Sequence, residues 1–228
     1  MTVNTIKAVL AFSALVLLCL SCNTYLNTKT EEFASADFLG MVYDADNQAC
    51  PGVRISLDGA AGPLSDVNGR FVLPNVSRGK HTIKATKEFY EEADFTIMFS
   101  NRTQVVYLKI FSLGQILAKA EEALANRKLS EADGFLTRAS KIDNADPQLL
   151  FLRASLALKR ETPSEAATLL QTIIDHHTAE PVVYLALADI YQYKLNDTAR
   201  ALAYLKKYAQ LAENTEVQSR IKKLELSE

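Results

Sequence analysis

The sequence predicts a two-domain β + α protein, with a seven-stranded antiparallel β-sandwich over residues 37–111 followed by an α-solenoid over residues 112–228. In the first region apolar residues recur at every second position between turn residues, which is typical of strands with one buried face. In the second region the pattern repeats at a spacing of 34 residues, which is typical of stacked helix pairs. The 228 residues, 48% of them hydrophobic, are sufficient for two separate cores.

The overall charge and composition exclude several classes of protein. A formal net charge of −2 at pH 7 argues against a nucleic-acid-binding protein, which normally has a basic surface. Three cysteines are too few for a disulfide-stapled scaffold. The hydrophobic fraction and the 23% of charged residues exclude wholesale disorder.

Residues 1–21 have the features of an export signal. Lys7 precedes an uncharged run from Ala8 to Leu20. This run is too short to cross the ~30 Å hydrocarbon core of a bilayer, but it has the length of a signal-peptide hydrophobic region. It ends in Leu17-Leu18-Cys19-Leu20-Ser21-Cys22, which resembles a bacterial lipobox, although Cys19 stands where leucine is usual. The alternatives are a plain signal peptide cleaved nearby and an uncleaved anchor.

The lipobox resemblance implies that Cys22 is lipidated and becomes the mature N-terminus. Acyl chains would then hold the protein to a membrane, and residues 22–36 would form the lipidated N-terminus and a polar tether. We therefore expect a lipoprotein of the bacterial cell envelope, on the periplasmic face or the outer membrane. Cys50 would be the remaining thiol, and we expect it to be a small packing residue beside Pro51.

The region from residue 37 to residue 111 alternates in the manner of short strands. Asn68-Gly69 is a hairpin signal, since both central positions of the favoured turn need a positive φ. The apolar positions of four strands alternate with polar or smaller residues: Val53, Ile55 and Leu57; Phe71 and Leu73; Phe95, Ile97 and Phe99; Val106, Leu108 and Ile110.

The order of these strands and turns resembles the carboxypeptidase regulatory-like family. The matching segments are Gly40-Met41-Val42, Pro51-Gly52-Val53-Arg54-Ile55, the stretch from Ser65 to Leu73, and Asn75 to His81 with a closing Tyr90. The resemblance implies a transthyretin-like (prealbumin-like) β-sandwich that acts as a spacer or binding module and has no catalytic group of its own.

Three residues at alternate positions, Asp44, Asp46 and Gln48, have the spacing of a calcium loop. An EF-hand needs glycine at the sixth position and glutamate at the twelfth, where this chain has Ala49 and Ile55. Aspartate side chains also bond to the backbone of turns. We therefore expect a turn here and no metal site.

Residues 112–228 repeat themselves in a helical pattern. A single extra residue in the Leu195–Thr198 loop explains why two sets shift from a spacing of 34 to one of 35. The recurring positions are Ala120, Ala154 and Ala188; Pro147 and Pro181; Ala132, Ala166 and Ala201; Leu136, Leu170 and Leu205. Paired helices with this period are identified as tetratricopeptide (TPR) repeats. We expect three repeats, over residues 113–146, 147–180 and 181–214, and a capping helix over residues 215–227.

Helix-start signals agree with these boundaries. Ser112 with Gln115, Thr162 with Glu165, and Thr215 with Gln218 have the spacing of a capping box. Asp146 and Thr162 each precede a proline, which predicts an N-cap residue followed by proline at the first helical position.

The TPR resemblance implies that one face of each first helix lines a groove that holds a peptide. An apolar groove with two acidic side chains would suit an apolar or mildly basic segment. The groove has no lining of lysines and asparagines, which argues against binding of a C-terminal carboxylate. The alternative is that these residues pack against neighbouring helices or the β-domain. The predicted groove residues are Leu117, Glu121, Leu124, Phe151, Ser155, Leu158, Leu185, Asp189, Gln192 and Tyr193.

No catalytic constellation is visible in the sequence. His177 and Glu180 have the H-x-x-E spacing of zinc carboxypeptidases, but no histidine follows that could supply the third ligand. No nucleophile elbow, Walker loop or dinucleotide-binding fingerprint occurs. We therefore expect no enzyme, metal or cofactor.

The sequence thus predicts a membrane-anchored adaptor or scaffold that binds a protein or peptide partner in its TPR groove. The alternative is a protein that binds envelope glycan or peptidoglycan through the β-sandwich, with the helices as support. That alternative would need exposed aromatic side chains in a module without tryptophan.

Overall fold

The computed structural model describes residues 33–176 and 180–226. The predicted export signal, Cys22 and His177 lie outside these ranges. None of the helices within the ranges is long and apolar enough to cross a membrane. The described part comprises strands β1 (Ser35–Tyr43), β2 (Arg54–Leu57), β3 (Ala60–Leu64), β4 (Arg70–Ser77), β5 (Gly79–Thr86), β6 (Ala93–Phe99) and β7 (Val105–Lys109), then helices α1 (Leu113–Ala125), α2 (Leu129–Ile142), α3 (Pro147–Lys159), α4 (Pro163–His176), α5 (Pro181–Tyr193), α6 (Thr198–Leu211) and α7 (Thr215–Glu225).

The strands form a three-stranded sheet in the order β4-β1-β7 and a four-stranded sheet in the order β3-β2-β5-β6. β1 is antiparallel to β4 but parallel to β7, so the prediction of an entirely antiparallel arrangement is wrong at this pair. The chain crosses from one sheet to the other between β6 and β7. Because no hairpin joins β7 to β1, no tight turn forces the two strands into opposite directions.

One apolar core lies between the two sheets. Phe38 of β1 meets Phe99 of β6 edge to face, with ring centroids 5.0 Å apart. The predicted alternation of β2, β4 and β7 is confirmed, because Ile55, Leu73 and Leu108 are buried in this core. Buried aromatic contacts between the sheets join the strands into one hydrophobic unit.

The Asn68-Gly69 turn does not close a hairpin between paired strands. It connects β3 to β4, and these strands belong to different sheets. Gly69 has a φ of +74°, whereas Asn68 is not among the residues with positive φ. The Asp66 carboxylate instead accepts the backbone N–H groups of Asn68 and Arg70, both at 2.8 Å. The signal predicted the turn correctly and the strand pairing wrongly.

The helices follow the predicted repeat. First helices begin at residues 113, 147 and 181, and second helices begin at 129, 163 and 198. The extra residue therefore lies in the loop between α5 and α6, as the spacing predicts. Three alanines 34 residues apart, Ala120, Ala154 and Ala188, are buried, which allows close approach of the helices. α7 packs its apolar stripe of Val217, Ile221 and Leu224 against the last helix pair.

Two of the predicted helix caps are formed and one is displaced. Ser112 and Gln115 make the reciprocal capping box at the start of α1. The Asp146 carboxylate accepts the N–H of Leu149 at 2.8 Å before α3. At α7 the cap is Asn214 and not Thr215, because the Asn214 side chain accepts the N–H groups of the first turn.

The β-domain and the helices are joined by several direct contacts. The Leu113 N–H donates to the Phe89 carbonyl at 2.8 Å, and the Glu91 N–H donates to the Phe111 carbonyl at 2.9 Å. Arg138 of α2 donates from Nε and Nη2 to the two carboxylate oxygens of Glu91, at 2.9 and 2.6 Å. These bonds cross the junction, where β7 leads into α1 after three residues.

Candidate partner-binding surface

The predicted groove residues lie on α1, α3 and α5, the first helices of the three pairs. Their spacing of three or four residues puts the members from one helix on the same face. The three helices differ in how much of that face is accessible.

On α1 the two apolar members of the set are buried. Leu117 and Leu124 are 1% and 4% exposed, and both belong to the core cluster that includes Leu152 and Leu156 of α3. Glu121, between them, is exposed. Leu117 and Leu124 therefore contribute to packing between the first two repeats and offer no accessible surface to a partner.

On α3 all three members of the set are half-buried. Phe151 and Leu158 rest against the core cluster of the second repeat, and part of each side chain remains accessible. The Ser155 hydroxyl donates to the Phe151 carbonyl at 3.1 Å. The face of α3 is therefore an apolar surface with its one hydroxyl bonded within the helix.

On α5 the face contains a residue that sequence reasoning missed. Val182 is 53% exposed and lies three residues before the half-buried Leu185. This i, i+3 spacing puts both side chains on the same face, and Asp189 and Tyr193 continue it. The same spacing, extended one turn towards the start of the helix, would have identified Val182 in the sequence.

The remaining three predicted residues contact Arg220 of the capping helix α7. Arg220 Nη1 lies 2.7 Å from Asp189 Oδ1, and Nε donates to Gln192 Oε1 at 2.6 Å. The Arg220 guanidinium also lies 4.9 Å from the centroid of the Tyr193 ring. The chain itself thus occupies this end of the predicted groove. Sequence reasoning considered only the apolar stripe of α7 and missed this arginine.

The accessible apolar side chains of the set form what we call the groove surface, which consists of Phe151, Leu158, Val182 and Leu185. It lies on α3 and α5, bounded by the packed face of α1 and by Arg220 of α7. Partly exposed apolar side chains on neighbouring helices can bury further surface against another protein. The groove surface is therefore shorter than the sequence predicts.

Cys50 is buried in the β-domain and has a cationic neighbour that the sequence did not reveal. The Lys87 ammonium donates to Cys50 Sγ at 3.5 Å and lies 4.6 Å from the centroid of the Tyr90 ring. Burial, together with a hydrogen bond to Cys50, raises the pKa of Tyr90 to about 12. The cysteine is 2% exposed and packs in the core, as expected.

The acidic loop after β1 is a turn, as predicted. The Asp44 carboxylate accepts the N–H groups of Asp46 and Gln48, both at 2.9 Å. Across residues 33–176 and 180–226, no cluster of three or more histidine, cysteine, aspartate and glutamate side chains has the arrangement of a metal site. Glu180, from the H-x-x-E pattern, is exposed.

His81 is a buried titratable group in the β-domain. Its Nδ1 lies 2.6 Å from Asp58 Oδ2, and its Nε2 lies 2.8 Å from the Ser77 carbonyl oxygen. Two acceptors around the ring favour the doubly protonated imidazolium. The Asp58 carboxylate accordingly raises the pKa of His81 above 6.5. The Thr82 N–H, and then His81, lower the pKa of Asp58.

Comparisons with known proteins identify similar solved structures. No protein family model matches the sequence, and no curated protein sequence matches it. The first TPR of Spaghetti (RPAP3) bound to the HSP90 peptide SRMEEVD is 16% identical, with 50% of this chain and 91% of that chain covered and a TM-score of 0.45. The Arabidopsis OM64 TPR domain is 18% identical, with 49% and 93% covered and a TM-score of 0.44. The first TPR domain of human RPAP3 is 16% identical, with 50% and 90% covered and a TM-score of 0.44. In this chain, the three helix pairs with their 34-residue spacing are the TPR region.

Proposed function

We propose that this protein is a non-enzymatic adaptor of the bacterial cell envelope, which is anchored by lipid at Cys22 and binds a protein partner on its groove surface. The observation that carries the proposal is the accessible apolar face of α3 and α5, where Val182 is 53% exposed. Apolar side chains exposed together on adjacent helices are typical of an interaction site.

The groove surface favours a particular kind of partner segment. It is apolar, and Asp189 at its end is already paired with Arg220. The first TPR of Spaghetti is bound to an HSP90 peptide. This chain has neither lysine nor asparagine among its predicted groove residues, so we expect an internal apolar segment of the partner to bind in place of a chain terminus.

The β-domain would act as a spacer between the membrane and the helices. The bonds from Arg138 to Glu91 and from Leu113 to Phe89 would limit rotation between the domains. A transthyretin-like module would thus present the groove surface at a fixed orientation. The anchor itself is tested by labelled palmitate, which the wild type should incorporate and the Cys22→Ala variant should not.

Partner binding is tested with Val182→Asp. The substitution places a charge in the groove surface, and we expect it to weaken partner capture at least about tenfold, equivalent to ~1.4 kcal/mol. Val182 lies in the first turn of α5, where an acidic residue interacts favourably with the helix dipole. The melting temperature should therefore change little. The measurement is photo-cross-linking from position 185 in the cells that produce the protein, with and without Val182→Asp.

The matched control is Leu211→Asp. Leu211 is 55% exposed, close to the 53% of Val182, but it lies at the end of α6 and outside the groove surface. We expect this variant to capture the partner like the wild type. Equal capture by the wild type and Val182→Asp, or equal loss in both variants, would reject the groove surface as the binding site.

A further inference from the structure

The outer face of the three-stranded sheet is apolar. We call it the sheet face. It comprises two adjacent cross-strand rows, because Leu39 pairs with Val72 and Val105, and Met41 pairs with Arg70 and Tyr107. Tyr43 lies beside the second row, with its ring 6.2 Å from that of Tyr107. The exposed fractions are 39% for Leu39, 46% for Val72, 39% for Val105 and 67% for Tyr107.

The other sheet of the same domain has the opposite character on its outer face. There β5 presents Lys80, Thr82 and Lys84, and β6 presents Asp94 and Thr96. A sheet that has water on one side normally has polar residues on that side. The contrast within one domain indicates that another surface covers the sheet face.

The side chains of the sheet face suit the interface of a lipid bilayer. Tyrosine has an apolar ring and a polar hydroxyl, and it is enriched where membranes meet water. Arg70 stands at one end of the second row, and Lys109 pairs with Tyr43 and donates to Asn47 at 2.7 Å. Cations beside an apolar centre can contact lipid phosphates while the centre enters the acyl boundary. Asp37, at the start of β1, is occupied by the Asn75 N–H at 3.4 Å.

We propose that the sheet face docks on the bilayer that holds the lipid anchor. This proposal rests on the proposed lipidation of Cys22. The 12 residues between Cys22 and Ser35 can extend to at most about 45 Å, so the β-domain cannot move far from the surface. Such a tether gives an effective concentration on the order of millimolar, at which a small apolar face docks without attraction from the net charge.

Docking is measured with environment-sensitive fluorophores on the lipidated full-length chain in phosphatidylethanolamine–phosphatidylglycerol vesicles. Val105→Cys places the label on the sheet face, and Tyr107→Cys gives a second label on the same face. The matched control is Thr96→Cys, on the exposed edge strand of the other sheet. The unlabelled blank is the wild type, whose Cys50 is buried. Melting curves exclude variants that do not fold.

Nitroxide lipids should lower the Val105 and Tyr107 label fluorescence about twofold or more, because interfacial insertion reaches the acyl boundary, and should leave the Thr96 label unchanged. Vesicle flotation with both face labels unquenched would overturn docking and leave the anchor intact. Labels that are shielded from aqueous iodide but not quenched by nitroxide lipids would show that a second copy, a glycan or another protein covers the face, which would also overturn it. Failure to float would reject the anchor, and docking with it.

Discussion

Replacing Arg138 with alanine should uncouple the two domains. Its guanidinium makes two charge-assisted bonds to Glu91, at 2.9 and 2.6 Å, and these bonds link α2 to the β-domain. It also lies 5.1 Å from the Phe111 ring centroid and 5.7 Å from that of Phe135. The substitution removes both the ion pair and the two ring contacts.

The burial of the pair sets the expected magnitude. The side chains of Arg138 and Glu91 are 34% and 28% exposed. Exposed ion pairs contribute ~0–1 kcal/mol and breaking a buried pair costs ~3–5 kcal/mol, so about 2 kcal/mol is expected here. The ring contacts add about 1 kcal/mol. Arg138→Ala should therefore lower the free energy of unfolding by about 3 kcal/mol, and Arg138→Lys by about half as much, because lysine keeps the charge without the two-pronged bond.

Urea denaturation followed by two signals tests this prediction. Circular dichroism at 222 nm reports mainly on the helices, and the reactivity of the buried Cys50 thiol reports on the β-domain. The two transitions should coincide in the wild type and separate in Arg138→Ala. Arg138 lowers the pKa of Glu91 below 4.5, so the stabilisation is present above that pH and is lost as the pH falls through the lowered pKa. Coincident transitions in Arg138→Ala, or a loss that persists in acid, would refute the assigned role.

Two further predictions concern the β-domain. The folded-state pKa of His81 is raised, so its stabilisation is fully present below pH 6.5 and is lost as the pH rises through the raised pKa; His81→Gln should remove this slope from the free energy of unfolding. Gly69→Ala should cost at least about 2 kcal/mol in thermal or urea unfolding, because the residue has a φ of +74° and the new Cβ would lie 2.4 Å from the Val42 carbonyl oxygen.

Each of these predictions has a control. Gly52 has a φ of +71° but no atom within 4 Å of an added Cβ, so Gly52→Ala should cost only about 1 kcal/mol. Equal losses at positions 52 and 69 would contradict the predicted clash. An unchanged pH slope in His81→Gln would show that another group causes it.

The helical half was predictable because its signals are local and repeated. Ser112, Asp146 and the recurring alanines each act within one or two turns, and the spacing predicted even the position of the extra residue after Tyr193. The alternation of buried residues in the strands is equally local. In these cases a short segment contains the information that determines its own structure.

The features that sequence reasoning missed depend on contacts between distant segments. The parallel pairing of β1 with β7 depends on how the chain crosses between the sheets. The burial of Leu117 depends on packing against α3, and the occupation of Asp189 depends on Arg220, 31 residues later. The periodicity of a helix shows which residues share a face but not which neighbour covers it.

The position of β1 in its sheet has a consequence for how the β-domain is completed. β1 is the central strand, between β4 and β7, and is the first to leave a ribosome or an export channel. Its second edge stays open until Val105–Lys109 has also emerged, so closure requires a contact of long sequence separation and is slow. Each helical hairpin that follows needs only adjacent residues. The N-terminal half of the chain thus depends more on a folding factor during synthesis than the C-terminal half.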